Sequence, residues 1–152
     1  ADHGMNAKSR GLNPEAILAA RGIAARAIPI IKDRHVVHHQ NLGGAAYVYL
    51  KDPATEREAA EILREEKGVE AVLSRESASR LYRLHSARIG HLFLLADRET
   101  VFGDMPAPRQ EIRVRSHGSL HERDIPIYAL GAGPLAVKPR TNAEVASWLF
   151  TA

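Results

Sequence analysis

The chain has 152 residues, of which 45% are hydrophobic and 26% charged, a make-up that suits one compact domain or two small ones. It holds no cysteine, so a disulfide framework is excluded, and its longest apolar runs, such as Leu92–Ala96, fall far short of the ~20 residues that a membrane helix needs. The 21 basic and 18 acidic side chains are intermixed and give a net charge of only +3, and aromatics make up 5%, so stacking platforms for a nucleic acid are not expected.

In chain order, Asn13-Pro14-Glu15 is a helix start: Asn caps the free amides, Pro fits the first turn and Glu faces the positive end of the helix. A helix over Pro14 to Ala27 is predicted, then a short buried strand at Ile28-Pro29-Ile30-Ile31. From Lys32 to Ala46 a His- and Gly-rich stretch reads as a loop that bends at Gly43-Gly44. Tyr47 to Leu50 predicts a strand, Asp52-Pro53 caps a helix reaching Lys67, and Gly68 stops it. Val69 to Leu73 is the next strand, and Ser74 caps a helix to Leu84. Leu92 to Ala96 and Thr100 to Phe102 then predict a hairpin about Asp97-Arg98-Glu99, which completes a βαβαββ unit. Pro106 and Pro108 mark a linker, Ile125 to Leu130 is a strand candidate, and Thr141 with Glu144 has capping-box spacing ahead of a last helix over residues 142–150.

Two segments carry potential chemistry. In Asp2-His3-Gly4-Met5 a carboxylate and an imidazole are adjacent, and both reach one ion only where the backbone turns, which the glycine permits. One oxygen and one nitrogen donor suit zinc better than calcium or magnesium. In Ser116-His117-Gly118-Ser119-Leu120-His121-Glu122, His117 precedes a glycine and is free to project into a cleft. His121 and Glu122 follow closely, and one of them is expected to support the metal histidine from behind. His38 and His39 are read as a solvated loop, and Lys8 and Arg115 lie near the site, where they could offset substrate charge although basic residues are common beside any loop. Gly131-Ala132-Gly133-Pro134 lacks the third glycine of a dinucleotide fingerprint.

Ala1 to Lys8 taken with Ser116-His117-Gly118-Ser119, Glu122 and Pro126 resembles the C-terminal half of the alkaline phosphatase superfamily, in its nucleotide pyrophosphatase/phosphodiesterase-like branch. More narrowly, the phosphonoacetate hydrolase family is resembled in Met5-Asn6-Ala7-Lys8, in Ile28-Pro29-Ile30 with Val36-Val37-His38-His39 and Leu42-Gly43, and in Arg88-Ile89-Gly90 with Leu95-Ala96-Asp97 and Thr100-Val101-Phe102-Gly103. The resemblance implies an α/β fold: part of an alkaline-phosphatase-like core sheet with an inserted small α+β cap domain. Residues 1–35 would belong to the metal-binding core, 36–105 to the cap, and 106–152 to the C-terminal part of the core. It further implies two zinc ions, with Asp2 and His3 on the ion that also holds a nucleophilic threonine and His117 on the other.

Phosphonoacetate would then lose its P–C bond to give acetate and phosphate through a covalent phospho-threonine. Thr55, Thr100 and Thr141 lack the nucleophile's context, so the threonine and the remaining ligands are expected upstream of a segment like Ala1-Asp2-His3. The 152 residues are thus expected to be the C-terminal part of an enzyme, inactive alone. The expected partner is a small anionic phosphonate, with no nucleic acid or membrane, in a cytoplasmic protein whose family resemblance allows a homodimer. Two alternatives stay open: a nucleotide pyrophosphatase/phosphodiesterase on the same fold, and a non-catalytic binding module.

Overall fold

The computed structural model describes residues 1–32, 41–128, 130 and 139–151. The fold is mixed α/β with two sheets. The first has strand order β6-β1-β7, formed by Thr100–Phe102, Asn6–Leu12 and Arg109–Ser116. The second has order β2-β3-β5-β4, formed by Ala25–Pro29, Ala45–Leu50, Leu92–Ala96 and Val69–Ser74. The helices are α1 (Pro14–Ala19), α2 (Glu56–Arg64), α3 (Arg75–Tyr82) and α4 (Asn142–Thr151).

Strand alternation builds the core of the larger sheet on both its faces. Ala46, Val48, Leu92, Leu94 and Ala96 point to one side, where they meet Ile17 and Leu18 of α1 and Ala59, Ile62 and Leu63 of α2. Ala45, Phe93 and Leu95 point to the other and pack with Ala78 of α3. The smaller sheet has its own cluster, Leu42, Val101 and Met105 with Ile112 and Val114 against them.

Local signals name most elements, and tertiary pairing moves their borders. Asn13 caps α1 as expected, its side chain accepting from the Ala16 amide at 3.2 Å. The helix ends at Ala19 rather than Ala27, because Ala25, Arg26 and Ala27 are taken into β2 opposite Leu50, Tyr49 and Val48. The strand expected at Ile28 to Ile31 is accordingly shifted back to Ala25–Pro29. Asp52 caps a single 3-10 turn, Pro53–Thr55, before α2 begins. Ser74 caps α3, which stops at Tyr82, two residues before Leu84.

The expected hairpin is corrected. β5 and β6 lie in different sheets, and β6 runs parallel to β1 with Arg10, Gly11 and Leu12 opposite Thr100, Val101 and Phe102. Val101 and Phe102 are fully buried there, Val101 in the cluster of the smaller sheet and Phe102 in that of the larger. The βαβαββ unit therefore resolves into the four-stranded sheet plus one strand handed to its neighbour. A further strand, β7, occupies what reads as linker and polar loop, while residues 125–128 carry no strand. β2 precedes residue 36 yet pairs with β3, and β6 precedes residue 106 yet pairs with β1, so sheets are shared across both expected borders. His38 and His39 lie outside the described residues.

Candidate metal centre

The register of the smaller sheet brings the two chemical segments together. β1 and β7 are antiparallel with Asn6 opposite Ser116, so the residues just before Asn6 lie beside those just after Ser116. His3 and His117 consequently stack, with ring centroids 3.6 Å apart and planes 14° from parallel. His3 Nδ1 lies 2.9 Å from the Gly4 carbonyl oxygen. A carbonyl only accepts, so Nδ1 carries the proton and Nε2 is the nitrogen with a lone pair to offer. That Nε2 faces Asp2, 3.8 Å from Oδ2. Asp2 is open to solvent, and its carboxyl is held below the usual range, first by its own backbone amide and then by His3.

These donors can be tested against zinc. Two ligand atoms at bond lengths of 2.0–2.1 Å stand about 3.4 Å apart at a tetrahedral ion, so Asp2 and His3 need close by only a few tenths of an ångström. Imidazole lone pairs lie in the ring plane. With ring centroids 3.6 Å apart and planes 14° from parallel, the in-plane lone pairs of His3 and His117 do not converge on one ion. The donor set fits a two-ion site in part, and among the described residues no three His, Asp or Glu side chains converge on a single point.

The loop carrying His117 is pinned at each residue. Ser116 is buried and its hydroxyl donates to the Leu42 carbonyl at 2.5 Å. The His117 carbonyl accepts from the Gly44 amide at 2.8 Å. Gly118 has φ +104, a left-handed conformation that suits glycine, and any side chain there would meet Ile30. Gly44 is also required, though not for bending: a Cβ on it would stand 2.8 Å from the Ser119 Cβ and 2.9 Å from the Gly118 carbonyl carbon.

Behind the histidines sits Glu122, whose side chain is 1% exposed. Its Oε1 accepts from Lys8 Nζ at 2.8 Å and Asn6 Nδ2 at 2.7 Å, and its Oε2 accepts from the Ser119 amide at 2.8 Å and hydroxyl at 2.7 Å. Burial pushes this carboxyl up, but the bonds from Lys8, Ser119 and Asn6 outweigh it and leave it below its ordinary value. Glu122, rather than His121, is thus the residue behind the site. His121 turns outward, its Nε2 2.5 Å from Glu70 Oε2. Lys8 is corrected as well: it is buried on Glu122 and the Arg98 carbonyl, and it is no counter-charge for a bound anion.

Asp2, His3 and His117 line a cleft of about 920 Å³ together with Arg123 and Arg140. Arg115 is not among its lining residues; the two arginines that are carry no motif in the sequence, and only the folded chain gathers them. Thr141 also lines the cleft, and its hydroxyl caps α4 by accepting from the Glu144 amide at 3.2 Å. No Phe, Tyr or Trp is among the described residues that line it. A second cleft, of about 840 Å³, lies away from the histidines, and its Arg109 and Arg10 are committed to Glu66 and Asp97.

No family model matches the sequence. Among the solved structures that match are two of phosphonoacetate hydrolase from Sinorhizobium meliloti 1021, one in complex with phosphonoacetate and one with phosphonoformate. Each is 31% identical to this chain, with TM-scores of 0.75 and 0.74. Each match covers 98% of this chain and 39% of that enzyme, so the chain is similar in sequence and fold to a part of it.

Proposed function

We propose that this chain is the C-terminal part of a zinc-dependent phosphonoacetate hydrolase, which cleaves the P–C bond of phosphonoacetate to give acetate and phosphate. The observation that carries the reading is 31% identity over 98% of the chain to an enzyme whose structures hold phosphonoacetate and phosphonoformate. The meeting of Asp2, His3 and His117 on one cleft supports it independently. Residues 1–35 and 106–152 are read as core and 36–105 as cap, with strands exchanged across both borders.

In this reading Asp2 and His3 Nε2 hold one zinc ion and His117 holds the other. When bound, zinc supplies positive charge to the oxygens on phosphorus and lowers the pKa of a hydroxyl nucleophile. The nucleophilic threonine comes from outside these 152 residues, which alone are inactive. Arg140 and Arg123, the latter with its Nε 3.6 Å from Asp124 Oδ1, line the cleft, and their guanidinium groups suit a substrate that carries both a phosphonate and a carboxylate. The threonine oxygen bonds to phosphorus as the P–C bond breaks. The electron pair left on carbon is dispersed into the neighbouring carboxylate and takes a proton from water to give acetate, and a second water hydrolyses the phospho-threonine to release phosphate.

A nucleotide substrate on the same metals is the rival, and the cleft's lack of an aromatic slot among its described lining residues favours the smaller substrate. The test is phosphate release from phosphonoacetate by the complete enzyme with zinc, run beside an activated phosphodiester. Release from phosphonoacetate is expected, lowered at least ~100-fold by His117→Ala. Cleavage of the diester alone would move the function to the phosphodiesterase branch, and activity untouched by Ala at Asp2, His3 and His117 would leave a non-catalytic module.

A further inference from the structure

We infer that Glu122 is a positioning residue that holds the two metal-binding segments in one arrangement; the inference rests on the metal reading above. The four donors on its carboxylate come from both sides of the site. Asn6 and Lys8 belong to β1, immediately after the Asp2-His3 segment, and they occupy Oε1. Ser119, two residues beyond His117, occupies Oε2 through both its amide and its hydroxyl. The main chain repeats the connection, since the Gly4 amide donates to the Glu122 carbonyl at 2.6 Å and Asn6 Nδ2 also reaches the His121 carbonyl at 3.2 Å. One residue therefore fastens the segment of His3 to the segment of His117, and within the pairing of β1 and β7 it holds them at the spacing of the 3.6 Å ring contact.

The chemistry of the site requires a carboxylate at this position. Each oxygen already receives two hydrogens, so an amide in its place must turn an N–H toward a donor, either toward Lys8 and Asn6 or toward Ser119. An aspartate is one methylene too short to span from β1 to Ser119. Lys8 is 0% exposed, so its ammonium has no solvent to turn to when Glu122 is replaced. Removal of the carboxylate should consequently loosen the side-chain tie between the two segments, whichever amide orientation is adopted, while the β1–β7 pairing and the main-chain bond from Gly4 remain.

The test compares the complete enzyme with its Glu122→Gln and Ser119→Ala variants. The second loses one hydrogen bond on Oε2 and keeps the buried ion pair, so it stays informative if the first fails to fold. In metal-free protein the His3 and His117 ring protons should show a strong nuclear Overhauser contact, which weakens in Ser119→Ala and weakens further in Glu122→Gln. Zinc affinity of the folded protein, by calorimetry, should fall ~10–100-fold in Glu122→Gln and several-fold in Ser119→Ala. Arg109→Met, which breaks an ion pair with Glu66 elsewhere, should alter thermal stability and leave both readouts unchanged. Ring contact and zinc affinity retained in folded variants would overturn the inference and leave Glu122 a purely structural residue. If the native enzyme binds no zinc, the metal reading fails, and the ring contact alone still decides whether Glu122 sets the spacing of the two segments.

Discussion

Lys8 lies five residues beyond His3, and in sequence it passes for a counter-charge to an anionic ligand; burial gives it another task, neutralising Glu122. Replacing it with Met leaves a buried carboxylate without its cation, which costs about 3–5 kcal/mol when a buried pair loses one partner. Lys8→Met should therefore lower the unfolding free energy by that amount in a denaturant titration. The pH dependence follows from Glu122, whose folded carboxyl lies below its ordinary value of 4.5. A depressed carboxyl contributes stability that is complete above the unfolded value and is lost as pH falls through the folded one. Acid unfolding below about pH 4.5 should thus be steeper for the native chain than for Glu122→Gln, read by circular dichroism along a pH series. Asp2, His3 and His117 were singled out by a family resemblance spread over both segments, since the residue types and local spacing alone suit a solvated turn as well. The pairing of Lys8 with Glu122 spans 114 positions, and nothing local announces it.

Among the elements, the glycine pair ahead of β3 illustrates how one local signal serves two outcomes. Gly43-Gly44 reads as a bend, yet neither residue has a positive φ, and Gly44 is needed because the His117 loop lies directly against it. Gly44→Ala should destabilise the fold by about 1–3 kcal/mol as the Ser119 backbone is pushed away, and should weaken zinc binding in proportion to the shift of His117, both measurable on the purified enzyme. The starts of α1, α3 and α4 were legible, because Asn13, Ser74 and Thr141 act through hydrogen bonds to amides three residues away, whereas Asp52 caps the 3-10 turn ahead of α2. The destination of β6 was not legible. Asp97-Arg98-Glu99 makes the same tight turn whether the next strand folds back on β5 or crosses to β1, and the choice rests on β1, about 90 residues earlier. β7 could have been read from the alternation of Ile112 and Val114 with Gln110, Glu111, Arg113 and Arg115, but its charged outer face disguises it as loop.

At the scale of the molecule, the two sheets are tied by strands that cross the expected domain borders. Residues 36–105 expressed alone would leave β3 without its β2 partner and β6 without β1, and would strip Val101 of Ile112 and Val114 and Phe102 of Leu12, Ile17 and Leu18. This segment should show no cooperative transition in denaturant; a sharp transition would mean that the cap folds by itself and that strand sharing is incidental. The antiparallel pairing of β1 with β7 has a consequence for biosynthesis. Asn6 leaves the ribosome about 110 residues ahead of Ser116, so β1 must wait for its partner while the larger sheet, complete by Ala96, is free to form. The two histidines accordingly meet late in translation, and a nascent chain halted before residue 116 would present an unsatisfied strand edge to chaperones instead of a place for a metal.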